Sequence, residues 1–179
     1  MTNIIFLFGT LAGLIIIGVT LAMIAASGGQ MEMSEHSHLV GYSIMIVALT
    51  MIFFGVKRYR DRDLGGVIKF VPALLMGLAI AVVAGAIYVA GWEVYMAATD
   101  GAFMQAYMDK YIEGEKAKGL SGPALDKLVT EMNEMMTAYN TNMAFRMGIT
   151  FMEIFPVGVI MALISAALLR MPTFLPARG

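Results

Sequence analysis

The chain has 179 residues, of which 59% are hydrophobic and 14% are charged, and its formal net charge is −1. Soluble domains are typically about 45–50% apolar and about a quarter charged, so this composition indicates an integral membrane protein. The small net charge gives no reason to expect a nucleic-acid partner. The lack of cysteine excludes disulfides and thiolate chemistry, and two histidines are too few for a three-histidine zinc site.

Four apolar segments are long enough to cross a bilayer core, which takes about 20 residues. They are predicted at residues 4–26, 39–56, 70–96 and 145–169. No basic residue precedes the first segment, and its apolar run is longer than that of a signal peptide, so we interpret it as an uncleaved span. The prediction is an all-α membrane protein, a bundle of four transmembrane helices that forms one domain over residues 1–179.

The segment 97–144, between the third and fourth spans, is predicted to form a helical hairpin outside the membrane. Apolar side chains recur there at intervals of three and four, the period of one helix face. Gly119 is the predicted end of the first helix, and Pro123 marks the start of the second. The hairpin is acidic and too short to bury a core of its own, so its apolar faces should pack on each other, on the membrane surface or on a partner. These faces comprise Phe103, Met104, Tyr107, Met108, Tyr111 and Ile112, then Leu125, Leu128, Val129, Met132, Met135, Met136 and Tyr139.

Basic residues crowd the connection between the second and third spans, whereas the connection between the first and second has no lysine or arginine. The positive-inside rule therefore predicts that the basic connection and both termini are cytoplasmic and that the hairpin lies on the opposite side. The basic residues are Lys57, Arg58, Arg60, Arg62 and Lys69.

Small residues at four-residue spacing form stripes on three of the predicted spans. Ala73, Gly77, Ala81 and Gly85 lie on the third span; Gly158, Ala162 and Ala166 lie on the fourth, and Gly9 and Gly13 on the first. Such stripes let helices approach closely in lipid. They predict a compact bundle. The same sequence pattern would also be expected if the stripes mediated a homodimer, so the sequence leaves both possibilities open.

Glu153 is an ionisable residue inside the last span, and by default such a residue marks a functional site. Pro156, one turn later, tends to kink the helix. The predicted topology brings Glu153 into the same half of the bundle as Glu93, Arg146, Tyr88 and Tyr42. We expect Glu93 to pair with Arg146 and Glu153 to hydrogen-bond to a tyrosine or a histidine.

Two interpretations of Glu153 remain open. It could be a proton- or cation-binding group in a cavity, or a polar clamp that satisfies backbone groups freed by Pro156 and fixes helix pairing.

A metal site is a further hypothesis. Thioether and imidazole ligands suit copper(I), and Met31, Met33, His36 and His38 are closely spaced in the first connection. Methionine is also a common gap-filler in apolar helices. No other cofactor is expected.

Four stretches resemble the bacterial membrane family known as domain of unknown function 4199. They are GYSIMIVALTMIFFGVKRYRD, GGVIKFVPALLMGL leading to YVAGWEVY, FMQAYMDKYIE, and MGITFMEIFPVGVIMALISAALL. The resemblance implies a four-span protein of the bacterial inner membrane with an outer, periplasmic helical insert and no established activity. It also implies signature positions at Lys57, Tyr59, Arg60, Asp61, Glu153, Phe155, Pro156 and Gly158. The His-x-His of the first connection is not part of the family's pattern.

Three functional interpretations follow, in order of preference. The first is a structural or accessory protein that contacts the lipid bilayer and a membrane-protein partner or a second copy. The second is proton- or ion-coupled transport of a small molecule through Glu153. The third is metal binding by the first connection, and an enzyme is least expected.

Overall fold

The computed structural model describes residues 1–27 and 37–177, apart from the side chains of residues 37, 38 and 103. The described chain forms six helices: α1 (Thr2–Ala26), α2 (Ser37–Asp63), α3 (Phe70–Ala98), α4 (Ala102–Ala117), α5 (Pro123–Thr141) and α6 (Met143–Leu169). Four of them, α1, α2, α3 and α6, are long and apolar enough to cross a membrane. The prediction of an all-α multi-pass membrane protein is therefore confirmed.

The four long helices pack as a bundle in which α1 and α6 lie at opposite corners. Each of these two helices contacts both α2 and α3, and α2 also contacts α3. Large aliphatic side chains fill the centre with no more than 1% of their surface exposed, among them Leu49, Ile52, Ile80 and Ile154. The apolar side chains on the opposite faces of these helices remain exposed, as expected for a surface that contacts lipid.

Glycines hold the helices at short distance, and this settles where the small-residue stripes face. A Cβ added at Gly13 of α1 would lie 2.6 Å from the backbone oxygen of Ala84 in α3. A Cβ at Gly158 of α6 would lie 2.8 Å from the Cβ of Ala81. The stripes on α1, α3 and α6 therefore serve packing inside the bundle.

The predicted hairpin helices are present as α4 and α5. Gly119 has φ +96°, which an L side chain rarely adopts, and the N–H of Leu120 donates to the carbonyl of Glu115 at 3.1 Å, which closes the end of α4. Pro123 is in the first turn of α5. Helices α4 and α5 contact each other, and α5 also packs on α6.

The basic connection differs from its prediction. Helix α2 continues to Asp63, so Lys57, Arg58, Arg60 and Arg62 lie on a helix and only Lys69 lies in the connection. The reason is that hydropathy marks where the apolar span ends, whereas a helix continues for as long as its backbone and side chains find partners.

Arg60 is fully buried in this last part of α2, whereas the sequence placed it in the basic connection between the second and third spans. Its Nη1 donates to the carbonyl of Phe174 at 3.0 Å, and its Nη2 to that of Leu175 at 2.5 Å. Its Nε donates to Asp61 at 2.6 Å, and Asp61 also pairs with Lys57. The planar guanidinium thus supplies donors to a tail whose carbonyls have no helical partner.

Candidate functional site

A cavity of about 350 Å³ lies at the end of the bundle where α3 ends and α6 begins, which we call the hairpin end. All six helices contribute to its wall. Most of the lining is apolar, with a few polar groups directed into it, as is typical of small-molecule sites. The lining residues are Ile16, Thr20 and Met23 of α1; Gly41, Ile44 and Met45 of α2; Tyr88 and Trp92 of α3; Met104 and Tyr107 of α4; Tyr139 of α5; and Ile149, Thr150 and Glu153 of α6.

An ion pair next to this cavity joins α3 to α6. Arg146 Nε donates to one oxygen of Glu93 at 2.7 Å and Nη2 donates to the other at 2.5 Å. The two side chains are only 14% and 11% exposed. The remaining guanidinium nitrogen, Nη1, donates to the backbone carbonyl of Tyr139 at 3.0 Å, so the same arginine also attaches α5. This is the pairing of Glu93 with Arg146 that the sequence predicts.

Aromatic side chains connect the hairpin to the cavity wall. Trp92 Nε1 donates to the hydroxyl oxygen of Tyr139 at 2.7 Å, and both residues are buried. The guanidinium of Arg146 also lies over the Tyr139 ring, 5.8 Å from its centre. Tyr139 therefore receives one contact from α3 and two from α6, which fixes the hairpin over the cavity.

Glu153 lies at the rim of the cavity. The Tyr88 hydroxyl donates to its Oε2 at 3.5 Å, so the predicted tyrosine partner is Tyr88. Glu153 is nevertheless an exposed residue, and it also lines an open groove on the outer surface of α6 with Phe145, Ile149 and Met152. The carboxylate therefore stands where the cavity meets the lipid-facing surface.

Two neighbours of Glu153 on α6 have different surroundings. Thr150 lines the cavity, and its hydroxyl donates to the carbonyl of Arg146 at 2.9 Å, one turn earlier on the same helix. Pro156, the predicted kink, is exposed, and α6 continues through it as one helix from Met143 to Leu169.

Tyr107 of α4 faces the same cavity from the hairpin. Burial raises the pKa of its phenol, and the neighbouring Tyr111 and the negative charge of Glu153 raise it further. The phenol thus remains protonated at neutral pH and keeps a hydroxyl donor in the cavity.

Tyr42 is the one member of the predicted polar group that the fold places elsewhere. It is 50% exposed and does not line the cavity. Its neighbours Gly41, Ile44 and Met45 do line it, because positions three and four apart share a helix face, whereas Tyr42 is turned about 100° from Gly41. The tyrosine that reaches Glu153 is Tyr88.

The metal hypothesis is left as a prediction. Met31, Met33 and His36 lie outside the described residues, as does the side chain of His38. In the part of the chain that the structure describes, no three histidine, aspartate or glutamate side chains cluster to hold a metal ion.

Sequence reasoning missed three contributors to the site: Trp92 as a donor, Tyr139 as its acceptor, and Tyr107. Trp92 and Tyr139 are 47 positions apart. Tyr107 and Tyr139 belong to the predicted apolar faces of the hairpin, but the spacing of apolar residues does not show which other helix each face contacts. The position of Tyr139 at the end of its face, just before the last span, was the available signal.

The family described as "Protein of unknown function (DUF4199)" matches residues 7–171. No curated protein and no solved structure matches the chain.

Proposed function

The chain belongs to the DUF4199 family, whose function is unknown, and we propose that it is a membrane protein that binds a small, partly apolar ligand in the cavity at the hairpin end. The observation that carries the proposal is the cavity itself. It combines about 350 Å³ of space with an apolar wall, the Tyr107 hydroxyl and the Glu153 carboxylate. Ligand sites typically have about 300–1,000 Å³, so this one suits a small molecule or one end of a lipid.

Binding is favoured over transport by the rest of the bundle. Towards the end with Arg60, the interior is filled by side chains with almost no exposure, such as Leu49, Ile52 and Ile80. Contacts such as that of Gly77 with Ala162 bring α3 and α6 together there. Transport through Glu153 would need a second opening through this packed half, whereas binding needs only the opening at the rim.

We further propose that the protein lies in a bacterial inner membrane with both termini in the cytoplasm and the hairpin in the periplasm. The support is the charge pattern. Arg58, Arg62 and Lys69 are exposed at one end of the bundle, and the acidic hairpin lies at the other. In this orientation the cavity is in the periplasmic half of the membrane.

The test of ligand binding uses two glycines whose added side chains would enter open space. Gly41 lines the cavity, whereas Gly18 is exposed on α1 and does not line it; among the described residues, no atom lies within 4 Å of a Cβ added at either glycine. Leucine at Gly41 should fill part of the cavity, and leucine at Gly18 is the matched control. The wild type, Gly41→Leu and Gly18→Leu are purified in mild detergent, and bound small molecules and lipids are extracted and identified by mass spectrometry.

We expect one compound to accompany the wild type and Gly18→Leu at close to one copy per chain and to be depleted in Gly41→Leu. An identical set of compounds in all three proteins would contradict binding in the cavity.

An accessory role is the second candidate, favoured by the polar surface of the hairpin. Helix α5 exposes Thr130, Asn133, Glu134, Thr137 and Thr141 along an open groove on its outer face. A membrane-protein partner, or a second copy of the chain, would contact this groove. Replacing Asn133 and Thr137 with arginine should then abolish chemical cross-links to the partner without changing the purified protein's melting temperature, and unchanged cross-links would exclude this surface.

A further inference from the structure

We propose that the ligand of the cavity is an organic cation, an amphiphile whose ammonium group is held by Glu153 and by aromatic rings. This inference rests on the proposed function and specifies the chemical class of its ligand. Charge, aromatic composition and the position of the opening support it separately.

The charge of the wall favours a cation. Among the described lining residues Glu153 is the one charged side chain, and none is lysine or arginine. The guanidinium of Arg146, one turn before Thr150 on α6, is bound to both oxygens of Glu93 and to the backbone of Tyr139. Along the described part of the wall, an anionic ligand would therefore meet a like charge with no lysine or arginine to bind it, whereas an ammonium group would gain an interaction with a carboxylate.

The aromatic composition favours the same class. Tyr88, Trp92, Tyr107 and Tyr139 supply four aromatic rings to one cavity. The negative faces of such rings attract ammonium groups, and sets of rings bind quaternary ammonium ligands in this way. Tyr139 already holds a cation on its ring, since the Arg146 guanidinium lies 5.8 Å from its centre.

The position of the opening indicates an amphiphile. Glu153 lies between the cavity and a groove lined by Phe145, Ile149 and Met152, whose side chains are 40%, 42% and 62% exposed. These side chains belong to the lipid-facing surface of α6. A ligand can thus reach the carboxylate from the bilayer, with its apolar part left among these side chains. A phospholipid with an ammonium headgroup and a free amine both fit this description.

Trp92 allows a direct test because it is the only tryptophan of the chain and lines the cavity. The protein is placed in phosphatidylglycerol nanodiscs and titrated with phenethylamine, which is a cation at neutral pH, and separately with the neutral 2-phenylethanol. We expect a saturable change in Trp92 fluorescence and a preference of at least about tenfold for the amine, from the combined ionic and cation–π attraction. In Glu153→Gln the preference should fall markedly, and Glu153→Asp should retain it.

The outcomes separate the two proposals. Equal binding of the amine and the alcohol would overturn the charge inference but leave the ligand cavity in place. No saturable response to either compound would overturn both. A preference for the amine that is unchanged in Glu153→Gln would also overturn the assignment of the carboxylate.

A second arm identifies the source of the ammonium group. Nanodiscs that contain phosphatidylethanolamine should weaken the apparent affinity for phenethylamine if a lipid headgroup occupies the site. An unchanged affinity would exclude this headgroup as the occupant and leave a free amine as the remaining source of the ammonium group.

Discussion

Arg146 shows how one side chain can organise an otherwise apolar region. Its guanidinium binds both oxygens of Glu93 and a backbone carbonyl of α5, so three helices meet at one residue. Burying such an ion pair in a low-dielectric region costs free energy. Removing only one of the two side chains costs more, because the remaining charge is then buried without a partner.

Removal of either partner should therefore destabilise the bundle. For Glu93→Gln we expect a loss of about 3 kcal/mol, near the lower end for a broken buried pair because the side chains are slightly exposed. The double variant Glu93→Gln, Arg146→Gln should lose less than the sum of the two single changes. Equilibrium unfolding in detergent measures all three variants.

The control for this prediction is the exposed pair of Lys127 and Glu131, whose side chains are 77% and 61% exposed. Lys127→Gln should change the free energy of unfolding by no more than about 0.5 kcal/mol. Strict additivity of the Glu93 and Arg146 changes would show that the two residues do not interact.

For single residues, the sequence predicted which side chains pair more accurately than it predicted which way a side chain points from its helix. The pairing of Glu93 with Arg146 and the position of Glu153 follow from depth along adjacent spans, which hydropathy reveals. The outward direction of Tyr42 cannot be predicted in this way, because it depends on how α2 is rotated about its axis. The burial of Arg60 cannot be predicted either, because it depends on which backbone carbonyls the C-terminal tail leaves unpaired.

Arg60 yields a prediction about that tail. Arg60→Lys keeps the charge but loses the guanidinium fork that binds Phe174 and Leu175, at a cost of about 1.5–3 kcal/mol for one charge-assisted hydrogen bond. The tail should then detach more often, and trypsin should cleave after the exposed Arg170 at least about tenfold faster, since about 1.4 kcal/mol changes an equilibrium tenfold. Mass spectrometry of the intact protein follows the cleavage.

Arg62→Lys is the matched control, since Arg62 is exposed on the same helix. Its cleavage rate should equal that of the wild type. Equal rates in the Arg60 and Arg62 variants would mean that the guanidinium does not hold the tail.

Helix contacts depend on glycine where two backbones approach. Alanine at Gly13 would place its Cβ 2.6 Å from the Ala84 oxygen, a backbone atom that cannot move without α3. We expect Gly13→Ala to lower the free energy of unfolding by about 1–3 kcal/mol through overpacking. Unfolding in detergent again provides the measurement.

Gly18→Ala is the control on the same helix, because an added Cβ there meets no atom of the described chain within 4 Å. Alanine favours helix over glycine, so this variant should be neutral or stabilised by up to about 1 kcal/mol. If both variants behave alike, α1 and α3 do not pack through Gly13.

The ends of the helices were predictable where local chemistry sets them. Gly119 ends α4 with a left-handed backbone, and Pro123 starts α5, as their residue types indicate. The end of α2 was not predictable, since no residue in KRYRDRD breaks a helix and hydropathy marks only the apolar part of α2. The contact of α5 with Trp92 was also hidden, because an amphipathic face does not name its neighbour.

The proposed orientation of the whole molecule in the membrane can be tested by labelling single cysteines. The sequence has no cysteine of its own, so each introduced one is the only thiol. Thr137 is exposed on the hairpin, and Leu64 is exposed beyond the end of α2. In spheroplasts, a membrane-impermeant maleimide should label Thr137→Cys, and it should label Leu64→Cys only after permeabilisation. The reverse pattern would place the hairpin in the cytoplasm.

The cavity at the hairpin end is the proposed ligand site, and heavy-atom quenching of Trp92 tests ligand binding there most directly. Bromine quenches indole fluorescence only near contact, so a brominated amine such as 4-bromophenethylamine reports its own location. We predict saturable quenching in the wild type and in Gly18→Leu, and little or none in Gly41→Leu, whose side chain occupies the cavity. Quenching that rises linearly with concentration, to the same extent in all three proteins, would contradict ligand binding there.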